Sequence, residues 1–182
     1  MGDLQLNIDQ QRFLLKLARD AIRYHFESGK PPPIAVAEGA LKEKRGAFVT
    51  LKRKEELRGC IGYPLPHDPL YLTITEAAVM AATQDHRFTS LTLEELPNVQ
   101  IEISVLTLPR KIESVSEIVL GEHGIIVTQG MYRGLLLPQV PVEWNWDLDT
   151  YLQHGCLKAG LEENAWKKGA EIQIFSAQVF SE

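Results

Sequence analysis

The chain is poor in the residues that announce many chemistries. Among its 182 residues there are two cysteines, Cys60 and Cys156, and five histidines. No C-x-x-C, H-E-x-x-H or H-x-H occurs, and His154-Gly155-Cys156 alone is not a zinc spacing, so no metal site is expected. G-x-G-x-x-G and the phosphate-loop pattern are missing too, which argues against nucleotide sites of those kinds, and no cofactor is called for. Basic charge is in deficit. Nineteen Lys and Arg against 24 Asp and Glu leave a formal charge of −5, which speaks against a nucleic-acid partner. No apolar run is long enough to span a bilayer, so no membrane association is expected. The opening MGDLQLNIDQQ has neither the basic region nor the apolar stretch of a leader, and the two thiols read as reduced; the expected location is cytoplasmic.

What is present suits a globular protein: 45% apolar and 24% charged residues, in a length that fits a single domain over 1–182 with room for a smaller lobe. The patterning predicts an α+β fold with a largely antiparallel or mixed sheet and packed helices. Strands are expected at Ala47–Leu51, Leu57–Ile61, Val99–Thr107 and Ile172–Phe180, the last with a bulge near Phe175, all in one common sheet system. Gly124–Thr128 and Leu135–Leu137 read as further strands joined through Gly130 to Gly134. Asp9 is the expected cap of a first helix running to Ser28, with Leu14, Leu17, Ala18, Ala21, Ile22 and His25 on its buried stripe. Ala35–Lys44 reads as a short helix. Asp68-Pro69 opens another helix, and its small-residue face lets it lie close on a sheet. Asp147 caps a later one, whose apolar face carries Cys156 as a core residue.

The segment G-A-F-V-T-L-K-R-K-E-E-L-R-G-C-I-G-Y, Gly46 to Tyr63, reads as strand, charged turn and strand. In strand alternation Arg58 and Cys60 share a face, ~7 Å apart. Gly59 and Gly62 remove side chains on either side of Cys60, so a backbone or a ligand can come close. A neighbouring guanidinium favours the thiolate, while burial opposes it.

Leu57 to Gly62, L-R-G-C-I-G, resembles the signature of the AMMECR domain family. GAFVTLK before it, the proline-rich segment up to Pro69-Leu70, Asp85-His86-Arg87-Phe88 and Ile103 to Leu106 resemble further blocks of that family. Leu136 to Val140, Val142-Glu143-Trp144, Cys156 to Leu161 and Val179 to Glu182 continue them in the same order, so the resemblance covers essentially the whole chain. His86 departs from it, since the family usually carries proline there. The resemblance implies an α/β fold of two unequal lobes. It also implies a protein partner: prokaryotic relatives accompany a radical-SAM enzyme and a Memo-like protein, a set called the AmmeMemoRadiSam system. It implies no particular reaction.

Two functional readings stay open. In one, the protein is an accessory binding module that works with its partner through a cleft around Cys60, the Leu57–Gly62 strand and the Trp144/Trp146 patch forming the docking surface. In the other, Cys60 is the nucleophile of a thiol-dependent enzyme acting on a small molecule or protein side chain, with Arg58, Glu143 and His154 as catalytic candidates. Gly59, Gly62, Arg87, Lys158 and Trp144 are the binding candidates in either case. Arg45-Gly46, Arg58-Gly59 and Arg133-Gly134 are basic-glycine pairs that could grip an anion or simply build turns.

Overall fold

A computed structural model of the chain describes residues 5–34 and 38–182. The first half contains α1 (Ile8–Ser28), β1 (Ala47–Arg53), β2 (Glu56–Tyr63), α2 (Leu70–Thr83) and β3 (Gln100–Leu106). The second contains β4 (Arg110–Lys111), β5 (Gly124–Gln129), β6 (Tyr132–Leu136), α3 (Val140–Glu143), α4 (Leu148–Lys158), β7 (Glu171–Phe175) and β8 (Ala177–Ser181). The fold is α+β. The chain divides into two units, Met1–Leu106 with Gln178–Glu182, and Thr107–Ala177.

The first unit is built on a four-stranded sheet in the order β2-β1-β3-β8, with β1 antiparallel to both neighbours. Ala47, Val49 and Leu51 on β1 and Ile101, Ile103 and Val105 on β3 are buried, and they form one core with the apolar faces of α1 and α2. Their alternation with Phe48, Thr50, Glu102 and Ser104 places the half-exposed residues on the other face. Lys52 and Glu102 pair across that face at 2.8 Å. The turn between β1 and β2 is two residues long, and Lys54 and Glu55 both have positive φ, 51° and 65°. This backbone matches strand twist, but it is one that Asn and Gly adopt more readily than Lys and Glu.

α1 is capped two residues earlier than expected. Asn7 is its cap, in a reciprocal capping box with Gln10, and Asp9 lies in the first turn. Its stripe is buried from Leu14 to Ile22, but His25 is exposed and lies edge-on to Phe26. Asp68 does not cap α2; Pro69 occupies the cap position without a side-chain acceptor, and the Asp68 carboxylate meets His67 Nδ1 instead. Of the helix expected at Ala35–Lys44, residues 35–37 lie outside those described, and Gly39–Lys42 forms a single 3-10 turn.

The second unit carries its own sheet, β4-β7-β5-β6, and its own core of Ile125, Val127, Ile172, Ile174, Tyr151, Leu152 and Cys156. α4 packs on β5 and β6. Gly155 makes this possible, because a Cβ there would meet Ile125 Cδ1 at 2.8 Å. Asp147 caps α4 as expected, accepting from Thr150 N at 2.8 Å. The Tyr151 phenol is buried and donates toward the carbonyls of His123, Leu136 and Leu137, and burial pushes its acidity down.

A single sheet system is therefore corrected to two sheets, and the expected strand Ile172–Phe180 is really two. Ser176 breaks it: its N–H donates to Thr107 Oγ1 at 2.8 Å and its carbonyl accepts from Thr107 N. β7 belongs to the second unit's sheet, and β8 to the first. Periodicity cannot see this break, because both halves alternate.

Candidate functional site

β2 is an edge strand, so alternate N–H and C=O groups along it point away from β1 and need other partners. At Cys60 they find a side-chain pair. The Cys60 N–H donates to Asp85 Oδ2 at 2.8 Å, and Arg87 Nη2 approaches the Cys60 carbonyl at 3.4 Å. Arg87 in turn donates to Asp85 from Nε at 2.9 Å and from Nη2 at 2.7 Å, and its backbone N–H reaches Oδ1 at 3.2 Å. A carboxylate and a guanidinium thus stand in for the next strand at this one residue.

Asp85 is buried while Arg87 is exposed, so the carboxylate is the fixed member of the pair. Hydrogen bonding from Arg87 holds the Asp85 carboxyl far below the usual range, reinforced by the Cys60 and Arg87 backbone donors and opposed by burial. Arg87 is correspondingly harder to deprotonate, chiefly through its bond to Asp85. A carboxylate so committed is a positioning group and a poor base.

The side chain of Cys60 is half-exposed, and Thr50, its cross-strand partner on β1, donates its hydroxyl to Sγ at 3.2 Å. Arg58 does not join them. Leu51 pairs with Gly59 but Lys52 pairs with Leu57, so Arg58 is the extra residue of a β-bulge, where simple alternation fails. Its guanidinium binds Glu95 Oε2 at 3.1 Å and the Thr89 carbonyl at 2.8 Å. Glu95 is made more acidic, first by Arg58, and also closes a capping box with Thr92.

The glycines beside Cys60 serve close backbone packing. A Cβ on Gly59 would lie 2.1 Å from the Ala81 carbonyl oxygen of α2, and one on Gly62 would lie 2.2 Å from the Ala47 oxygen. The other basic-glycine pairs also have partners within their own units: Arg45, which is buried, binds Glu43 at 3.0 Å, and Arg133 reaches Gln173 at 3.4 Å.

Glu143, Trp144, His154 and Lys158 all lie in the second unit. Glu143 ends α3, and Lys158 ends α4; both are exposed. Asn145, at φ 51°, reverses the chain between two tryptophans, and the Trp146 N–H donates to the Pro141 carbonyl at 2.8 Å. The rings are thereby stacked, Trp144 on Trp146 at 6.2 Å and Trp146 on His154 at 3.9 Å, nearly parallel. Trp146 is half-buried against the second core, whereas Trp144 is 68% exposed.

Asp85, Thr50 and Glu95 are the site residues that the sequence reading passed over. The signal for Asp85 was its place two residues before Arg87 at the end of α2. His86 stands at the second position of a turn closed by Phe88 N–H to the Asp85 carbonyl at 3.0 Å. Proline suits that turn position, and histidine adopts it without strain.

Fold and site together define an α+β protein of two sheet-based units, with a bracketed cysteine on an edge strand of the first. The chain belongs to the AMMECR1 family, whose profile matches residues 15–180. It is 48% identical to a protein of Methanopyrus kandleri, over 100% of this chain and 92% of that one. It is 44% identical to a protein of Methanocaldococcus jannaschii, over 97% and 92% of the two lengths. The crystal structure of an uncharacterized protein from Pyrococcus horikoshii is similar to it with a TM-score of 0.79 and 43% identity, covering 93% of this chain and 90% of that one. Among the described residues no helix is long and apolar enough to cross a membrane.

Proposed function

We propose that the protein is a binding module that docks a protein partner, and that the partner is of the radical-SAM or Memo-like kind that the family resemblance implies. The observation that carries this reading is the exposed, pre-stacked Trp144. A large aromatic ring held by a second ring and an imidazole loses little freedom on binding, and such residues supply much of the energy of interfaces. Beside it Val142 is 64% exposed, a second apolar group on the same short helix end. The Cys60 strand is a second contact region, within its own unit.

Titration calorimetry with the purified radical-SAM and Memo-like proteins encoded in the same genome tests the proposal. Binding is expected for at least one, weakened by about 30-fold in Trp144→Ala, which corresponds to ~2 kcal/mol at a hot spot. The variant's own stability should change by no more than about 0.5 kcal/mol, as for an exposed residue. Binding that Trp144→Ala leaves intact, or no binding to either protein, overturns the proposal.

The thiol-enzyme reading has less support. The hydrogen-bond partner of Cys60 Sγ is a hydroxyl rather than a base, and the carboxylate of Asp85 is engaged by the Cys60 backbone N–H and by Arg87. Alkylation followed by peptide mass spectrometry separates the two readings. Cys60, half-exposed, is expected to react in the folded protein, and Cys156, buried and with its thiol pushed up by burial, only on unfolding. A Cys60 rate whose pH midpoint falls well below the free-thiol value of ~8.5 would favour the nucleophile.

A further inference from the structure

The first unit carries a concave site that neither reading above uses. It is a groove of about 630 Å³ between the C-terminal end of α1 and the outer face of α2. That volume lies in the range of roughly 300–1,000 Å³ typical of small-ligand sites. Leu72, Val79 and Met80 of α2 and Pro31 and Pro32 beyond α1 give it apolar walls. Tyr63, at the end of β2, contributes a half-buried phenol whose hydroxyl reaches the Met80 thioether at 3.1 Å, a weak acceptor. Burial makes this phenol less acidic, and the Glu76 carboxylate, which lines the same groove, adds to the effect.

Charge in the groove is uneven. Glu76 and Asp68 supply two carboxylates; Asp68 is met by His67, while among the described residues Glu76 has no ion-pair partner. The C-terminal end of α1 adds the negative pole of a 21-residue helix, closed by Gly29, which is itself in the lining. Lys30 and His25 are the basic members, both exposed. An apolar channel with an unpaired carboxylate, a phenol oxygen and a helix C-terminus fits one chemistry: an ammonium group on an aliphatic stem.

We propose that this groove binds an alkylammonium group, either a lysine side chain of another polypeptide or a free aliphatic polyamine. Glu76 takes the ammonium, the Tyr63 oxygen accepts a second hydrogen bond, and Leu72, Val79 and Met80 cover the methylenes. The inference is independent of Cys60 and of the aromatic stack.

The test is a backbone-amide NMR titration of the full chain with 1,5-diaminopentane and, separately, with an end-capped Gly-Lys-Gly peptide. Saturable shifts are expected around Tyr63 and from Leu72 to Gln84, with at least one probe binding at a Kd of about 10 mM or tighter. Saturation by the diamine alone assigns the polyamine; saturation by the peptide assigns a lysine side chain. Glu76→Gln should weaken binding about tenfold or more, since it removes a charge-assisted hydrogen bond. Lys30→Ala should tighten it roughly twofold by removing a like charge. Both residues are exposed, so both variants are expected to fold. The proposal is overturned if neither probe saturates, if Glu76→Gln binds as wild type, or if the two charge variants move in the reverse directions.

Discussion

Gly59→Ala lowers the melting temperature of the first unit by about 10 °C, from a loss of about 3 kcal/mol or more, as overpacking against unyielding backbone does. The cause is space. Gly59 has no positive φ, so its own backbone tolerates a side chain, but the new methyl would sit 2.1 Å from the Ala81 carbonyl oxygen. That atom belongs to the backbone of α2 and cannot rotate away. Either α2 lifts from the sheet, uncovering the apolar contacts of Ala77, Ala78 and Ala81, or β2 moves and carries Cys60 with it. Gly29→Ala is the control: nothing lies within 4 Å of its Cβ, and only its φ of 66° is unfavourable, at about 1 kcal/mol. Thermal unfolding of the two variants decides the matter. Equal losses would show that β2 and α2 are not in close contact at Gly59.

Asp85→Ala is expected to cost about 2–4 kcal/mol at neutral pH, because it strands the Cys60 N–H and removes a buried acceptor of charge-assisted hydrogen bonds. Arg87 is exposed and can return to water, which keeps the loss below that of a broken buried ion pair. The effect has a pH signature. The folded-state carboxyl is far more acidic than the unfolded one, so its contribution is complete above the unfolded value of ~3.9 and is lost as pH falls toward the folded one. The gap between wild type and Asp85→Ala should narrow by about 1 kcal/mol between pH 7 and pH 3. Urea unfolding at the two pH values measures it. A constant gap would mean that the carboxylate is not the group that matters, and that the loss is one of packing.

Much of the fold was legible because it is set by local pattern. The strands at Ala47–Arg53 and Gln100–Leu106 alternate with period two, and the stripe from Leu14 to Ile22 repeats with the helical period; both are buried on the face the pattern names. Asp147 caps α4 for the same local reason, and Cys156 is in the core. Where the reading went astray, the residue's actual surroundings differed from what the local pattern suggests. Arg58 and Cys60 share parity, but a bulge set by pairing with β1 sends Arg58 to Glu95. Asp68 has the form of a helix cap but is engaged by His67, and His25 sits at the end of an apolar stripe that has already left the core.

By itself, then, the amino-acid order determined which segments are strands and helices, which of their faces are apolar, and that Cys60 stands on a strand between two glycines. These follow from backbone sterics and from side-chain spacing over a few residues. Tertiary structure alone decided that the last strand is split between two sheets at Ser176, and that Gly59 makes room for α2 and Gly62 for β1 rather than for a ligand. It also decided that the group bracketing Cys60 is the Asp85–Arg87 pair, 25 and 27 residues further along the chain. An edge strand leaves backbone donors and acceptors unpaired, and what satisfies them depends on which side chains the packed helix delivers to that edge.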